Sequence, residues 1–417
     1  MLSNIVLGVK LLGALFSLLP KKLHLLLAQR IHRLTYRAVE HPRNVVVIGA
    51  SFAGYHVARC LANSLPTGYQ VVVIEKHSHF RLTWVLPRFS VVPGHAHKAF
   101  IPYGPYLDSA PAGSYKWIND TVETIIPNKD GNGMVELASG QSVDYEYLVI
   151  ATGASAGLPS RVPALDKQGG MEMLQVEQEK LQDAKDVVIV GGGSVGVELA
   201  ADAKERYPDK NVTLVHSRDR LLNARFGPKL GEAALKELTE LGVNVRLGER
   251  VVKGDSLPAV ELRSGESIPC DYFVNCVGQR PNSGLIEALS AESVSESGHI
   301  KVQPTLQIAG SLFARTYAAG DVIESDGVKN ARGAIEQAEV VAKNIVRAMH
   351  SQKQIEYHVR WWEGMTQLSL GLNKTMVWMS DGSTEVTMAM KSTREDMESA
   401  EVWKYFGLKP FEEKGYL

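Results

Sequence analysis

Apolar residues along the chain occur in two spacings. Short unbroken runs of β-branched and aliphatic residues recur at 45–48, 71–74, 187–190 and 212–215. Runs of this length, interrupted at most by the β-branched Thr213, read as parallel strands buried on both faces. Between them the apolar positions open to helical spacing, as over 195–206. Strand, helix and strand alternate twice, which predicts an α/β fold with two Rossmann-like domains. The tail reads differently. Residues 366–371 and 375–379 read as two short strands with a turn signal at Asp381 and Gly382. Ser392 and Glu395 form a capping-box pattern, predicting a helix to about Phe406 that Gly407 ends. A small α+β C-terminal element is expected there.

The first 40 residues follow a third pattern. Residues 2–19 are mostly apolar but carry Lys10 near their middle. A spanning helix needs about 20 apolar residues, and a central Lys costs roughly 2.5–3.5 kcal/mol on insertion scales. A clean transmembrane span is therefore not expected. Over 21–38, Leu23, Leu27, Ile31 and Leu34 fall on one helical stripe, with Arg30, Arg33 and Arg37 on the next. Such a helix can lie in a membrane interface. An acid-free, Arg-bearing start also fits a mitochondrial transit peptide. The alternative is a helix packed on the protein's own body. The second residue is Leu2, which leaves no glycine for N-myristoylation.

Composition sharpens this division. The 417 residues hold 45 Lys and Arg against 46 Asp and Glu, with 45% hydrophobic and 22% charged residues. These values fit a globular protein and argue against a nucleic-acid binder, which would show a basic excess. Six bases and no acid precede Glu40, so the remainder carries 39 bases against 46 acids. The neutral total joins a mildly acidic body to a basic apolar leader. Three cysteines exclude a disulfide scaffold.

Candidate chemistry centres on two glycine turns. The first strand ends in Gly49, Ala50, Ser51, Phe52, Ala53 and Gly54, a G-x-G-x-x-G pattern whose middle glycine is Ser51. Gly49 would make the tight turn and Gly54 the close helix–strand approach. The next strand ends at Glu75, 21 residues after Gly54, a spacing suited to a carboxylate on an adenosine ribose. The second turn carries Gly191, Gly193 and Gly196 in full register, followed by Ser194 and Val195 at a helix start. Helix N-termini present amides to a pyrophosphate. Where NAD sites usually carry an acid, His216 stands, with Arg218 and Arg220 close behind. Arg attracts a 2′-phosphate, so NADPH is favoured over NADH. Two nicotinamide sites would have no redox purpose. One FAD and one nicotinamide is the economical reading, since a flavin accepts hydride from NAD(P)H.

Here the chain resembles the two-dinucleotide-binding-domain flavoproteins of the pyridine nucleotide-disulfide oxidoreductase superfamily. Ala151, Thr152 and Gly153 resemble the segment leaving the FAD domain. Gly278, Pro281 and Asn282 resemble the return segment, and Gly320 and Asp321 the terminal GD motif. The tail over 360–406 and the stretch 87–95 are similar to fungal members of the AMID-like branch, the apoptosis-inducing-factor homologues that include ferroptosis-suppressor-type proteins. The resemblance implies FAD on the first turn and NAD(P)H on the second. It implies FAD contacts from Glu75, Lys76, Val122 and Asp321. It also implies electron transfer to a quinone-like acceptor. The cysteines, Cys60, Cys270 and Cys276, lack redox spacing, so no disulfide step is expected. No metal-ligand pattern is present, and no metal is expected.

Candidate catalytic residues are Glu198, on the helix after the second turn; Gln337, after the GD motif and toward the acceptor side; and Lys374, in the wall of an acceptor pocket. Glu198 is either beside the nicotinamide or a helix-surface acid. The expected organisation is a leader over 1–40, an FAD-binding domain over 41–160 and 288–350, an NAD(P)H-binding domain over 161–287, and the C-terminal element over 351–417. Two other functions stay open: a biosynthetic flavoenzyme acting on a specialised metabolite, and a redox-sensing signalling flavoprotein. Expected partners are a small-molecule acceptor and a membrane reached through the leader. The expected location is intracellular, membrane-associated or mitochondrial, otherwise cytoplasmic, as a monomer or homodimer.

Overall fold

The computed structural model describes residues 26–222, 225–253, 258–392 and 394–413, with residues 8, 10, 13 and 20. The apolar stretch 2–19 and Leu23 therefore lie largely outside the described residues. Strands β1 (Arg43–Ile48), β2 (Tyr69–Ile74), β3 (Tyr115–Ile118), β4 (Tyr147–Ile150) and β9 (Thr316–Ala318) form one parallel sheet in the order β9-β4-β1-β2-β3. Strands β5 (Asp186–Val190), β6 (Asn211–His216), β7 (Asn244–Leu247) and β8 (Tyr272–Asn275) form a second, ordered β7-β6-β5-β8. In each, the strand before a glycine turn is central and its aliphatic side chains are buried. Unbroken apolar runs take this position because helices cover both faces of the sheet.

The second sheet is inserted between β4 and β9 of the first, and the two crossings are locked together. Ala154 pairs with Pro281 and Ser155 with Arg280 in a short antiparallel ladder. Thr152 Oγ1 donates to the Asn282 carbonyl (2.7 Å), and Asn282 Nδ2 returns a bond to the Thr152 carbonyl (2.8 Å). The exit and return segments are thus one joint.

The tail departs from its expected outline. It holds three antiparallel strands, β10 (Thr366–Ser369), β11 (Lys374–Ser380) and β12 (Glu385–Lys391). The third was not expected, because its alternation is blurred by Met388, Ala389 and Met390, all exposed. The helix begins at Ser399 rather than beside Ser392. Met397 and Glu398 adopt left-handed backbone (φ 48° and 60°), which cannot continue into a right-handed helix. Gly407, at φ 83°, ends it as expected.

The element straps both domains. Leu368, Leu370, Met376 and Trp378 join the core of the second domain. The helix over Ser399–Tyr405 returns to the first, where Trp403 Nε1 donates to the Lys98 carbonyl (3.0 Å). At the other end, the leader helix over 26–35 is tied down by polar bonds. His32 Nε2 bonds the Leu65 carbonyl (2.7 Å), and the buried Tyr36 hydroxyl donates to the Tyr69 carbonyl (2.9 Å). Lys10 pairs with Asp381. The apolar stripe itself is not packed: Leu27, Ile31 and Leu34 are 53–74% exposed.

Candidate active site

At the first turn, Gly49 has φ +91° and its missing Cβ would lie 2.6 Å from the Ala151 carbonyl. A Cβ on Gly54 would strike the Gly49 carbonyl at 1.8 Å. Ser51, between them, is exposed with φ −83°, so serine replaces the middle glycine without strain. Helix α1 (Phe52–Ala62) starts directly after this exposed serine, which makes no side-chain cap bond to it. Glu75 is buried under the turn. Its Oε2 accepts the Ala50 amide (2.6 Å) and its Oε1 the His77 amide (2.8 Å). Burial alone would raise its pKa, but the bonds from His77 and Ala50 outweigh that and hold it below its ordinary value. Lys76 is exposed beside it, and Val122 is buried at the start of an antiparallel strand.

The GD motif meets this turn. Gly320, at φ +85°, approaches Ala53 so closely that a Cβ would sit 3.0 Å from the Ala53 Cβ. Gln337 is buried, and its Oε1 accepts the Gly320 amide (2.8 Å). Expected on the acceptor side, Gln337 instead holds the GD loop in place. Asp321 is paired with Arg161 (3.1 Å), a residue the sequence reading missed. Its only signal was a lone base in the segment that follows Gly153. These features fit a bound dinucleotide: backbone carved to admit it, an open turn, and a carboxylate at each end.

The second turn repeats the geometry more strictly. Gly191 has φ +112°, and a Cβ on Gly196 would fall 2.0 Å from the Gly191 carbonyl. A Cβ on Gly193 would meet nothing within 4 Å. Ser194 and Val195 open helix α4 (Ser194–Arg206), the next helix in the chain after α3 (Lys167–Asp183), and helix N-termini present their first amides to an anion. His216 lies against the turn and its Nδ1 accepts the Gly192 amide (3.1 Å). Its pKa is lowered by burial and then by Arg218. Arg218 is exposed past the strand end, whereas the stem of Arg220 lies against Gly231. Gly278, at φ +84°, is exposed on the return segment.

Glu198 is not a surface acid. It is buried on α4, with Oε1 accepting the Ser369 amide of β10 (3.0 Å). Burial pushes its carboxyl up to about 8, so it is largely protonated at neutral pH. One helical turn on, the fully buried Asp202 pairs with Arg88 Nε (2.6 Å). Arg88, on α2 (Leu86–Phe89), also donates through Nη2 to Ser369 Oγ (2.5 Å) and the Gly371 carbonyl (2.8 Å). Sequence reading missed Arg88 and Asp202. The available signal was an acid four residues after Glu198 in a helix segment, Val195–Ala203, that is otherwise apolar. Lys374, expected in an acceptor pocket, pairs with Glu237 on α5 (Pro228–Leu241). That bond docks the tail on the second domain.

The three cysteines are free, and burial pushes the Cys60 and Cys276 thiols up to about 12. Thiolate chemistry is disfavoured at these positions. Among the described residues no cluster of His, Cys, Asp or Glu is arranged for a metal, and no helix is long and apolar enough to cross a membrane.

The profile of the family described as pyridine nucleotide-disulphide oxidoreductase matches residues 43–338. The chain belongs to that family. It is an NAD(P)H-dependent flavin oxidoreductase that uses FAD. Fe-regulated protein 8 of Mycosarcoma maydis is 32% identical over 396 residues, covering 87% of this chain and 97% of the relative. Ferroptosis suppressor protein 1 of Xenopus tropicalis is 30% identical over 319 residues, covering 74% and 81%. Among solved structures, the sulfide:quinone oxidoreductase of Aquifex aeolicus superposes with a TM-score of 0.70 at 18% identity, covering 87% of this chain and 90% of that one. At that identity the likeness is one of fold.

Proposed function

We propose that this flavoenzyme takes hydride from NADPH and reduces a quinone-type acceptor at a membrane surface. FAD, when bound, supplies the two-electron relay between nicotinamide and acceptor. The chain's residues supply position and protons. Gly191, Gly193 and Gly196 cradle the nicotinamide dinucleotide, with Arg218 beside the 2′-phosphate. Ala50, Ser51, Glu75 and Asp321 hold the FAD. Reduction of a quinone by NADPH consumes one proton beyond the hydride, and Glu198 donates it. Its burial keeps it protonated where an exposed glutamate would be ionised.

The observation that carries the acceptor class is the leader helix. Its stripe of Leu27, Ile31 and Leu34 faces outward beside Arg30, Arg33 and Arg37, with no acid before Glu40. Such a surface suits an anionic bilayer, where a quinone dissolves. The test keeps the Tyr36 anchor and replaces Leu27, Ile31 and Leu34 with serine. Binding to vesicles containing phosphatidylserine should be lost, together with activity on a vesicle-borne quinone. Activity on a water-soluble quinone should persist. Unchanged vesicle binding would refute the membrane reading. Failure to reduce any quinone would refute the acceptor class and favour a metabolite substrate.

A further inference from the structure

The buried polar knot between the domains holds more charge than docking requires. Arg88 comes from the first domain, Asp202 and Glu198 from the second, and Ser369 from the C-terminal strap. Arg88 and Glu198 both bond Ser369, one through its hydroxyl and the other through its amide. A fully buried ion pair is weak evidence for stability, because an apolar pair of similar volume is often as stable. This pair is also unsaturated: Arg88 Nη1 and Asp202 Oδ1 have no hydrogen-bond partner among the described residues. Burying both charges therefore calls for another reason.

We propose that Asp202 and Arg88 are positioning residues for Glu198, together setting the charge that surrounds the proton it delivers. The inference rests on the reading of Glu198 as proton donor. Asp202 repels an ionised Glu198 and Arg88 attracts it, so in the intact pair the two effects oppose each other. The other acid of this helix face, Glu205, acts on Asp202 and is bonded to the Leu372 amide (2.6 Å) and Asn373 Nδ2 (2.7 Å). From the strap, the Ser369 amide favours the ionised form of Glu198. Burial is the largest influence keeping Glu198 neutral, and Asp202 offsets the pull of Arg88 toward the ionised form. Arg88 also grips Gly371, so the same guanidinium seats the strap that carries Ser369.

The sign follows directly. Turnover that needs protonated Glu198 is present below its pKa and lost as pH rises through it, near about 8. Asp202→Asn leaves the guanidinium unmatched, and an unmatched opposite charge at this range moves a carboxyl by about 1–3 units. The experiment is the pH profile of kcat with NADPH and a water-soluble quinone, on FAD-loaded protein, with Tm recorded alongside. Asp202→Asn should shift the alkaline limb downward by about one unit or more. Arg88→Gln, which deletes the other charge, should shift it upward. The double variant Arg88→Met with Asp202→Leu should return it close to the wild-type position. Either single variant suffices if the other does not fold. If Tm falls in each while the limb stays fixed, the pair is structural and the proposal fails. If the limb is unchanged in Glu198→Gln, the reading of Glu198 as donor fails instead.

Discussion

Replacing Gly193 by alanine separates what the nucleotide demands of the second turn from what the fold demands. Gly193 caps α4 at φ −77°, ψ −178°, extended backbone that alanine adopts freely. Its Cβ would meet nothing within 4 Å. Stability should therefore change by no more than about 0.5 kcal/mol. A pyrophosphate laid across the turn needs that space, because backbone amides must approach it directly. Displacing it from one charge-assisted amide bond costs about 1.5–3 kcal/mol. The KM for NADPH should accordingly rise roughly 10–100-fold, with FAD content and Tm unchanged. Gly196→Ala is the contrasting case. Its Cβ would lie 2.0 Å from the Gly191 carbonyl, so helix and strand must separate. Forced overpacking of this kind costs about 1–3 kcal/mol, and Tm should fall before binding is examined. Thermal melts, flavin absorbance and steady-state NADPH oxidation read all three quantities. An unchanged KM in Gly193→Ala would show that the pyrophosphate does not cross this turn. A wild-type Tm in Gly196→Ala would refute the packing argument.

Arg218→Ala should reduce the NADPH over NADH preference in kcat/KM by about tenfold, the value of one charge-assisted contact; an intact ratio would move the 2′-phosphate elsewhere. Glu75 is held below its ordinary value, so it stabilises the folded chain above pH 4.5 and loses that contribution as pH falls through its lowered folded value. In Glu75→Gln the acid limb of the Tm-against-pH curve should flatten and FAD retention at pH 7 should weaken. Parallel acid limbs in variant and wild type would contradict this. Lys374→Met should cost about 0.5–1 kcal/mol, the worth of a partly exposed ion pair, and leave kcat unchanged. A collapse of kcat at constant Tm would return Lys374 to the acceptor site.

Both turns and both parallel sheets were legible because each is written locally. Val45, Val46, Val47 and Ile48 pair in register with Val71, Val72, Val73 and Ile74, and every partner is aliphatic. Gly54 answers a steric demand set by the Gly49 carbonyl five residues earlier, and Gly49 answers the positive φ of the turn itself. Where the local signal was weak, the reading slipped. A capping-box pattern at Ser392 was overridden by the left-handed backbone at Met397 and Glu398. Gln337 and Lys374 were drawn toward chemistry by residue type, and their bonds to Gly320 and Glu237 span long stretches of chain.

The sequence by itself determined the two nucleotide turns and the split between a basic leader and an acidic body. Periodicity and glycine placement carry these, since they depend on neighbours within one strand–turn–helix unit. Only the tertiary structure decided which groups become buried together. Arg88, Asp202 and Ser369 are separated by 114 and 167 positions in the chain, and Arg161 lies 160 from Asp321. The leader shows the same division. Its amphipathic stripe was visible as a pattern, but whether that stripe packs or faces outward depends on the shape of the surface beneath it. Residue order sets which atoms are neighbours along the chain, and the protonation of Glu198 is set by neighbours across space.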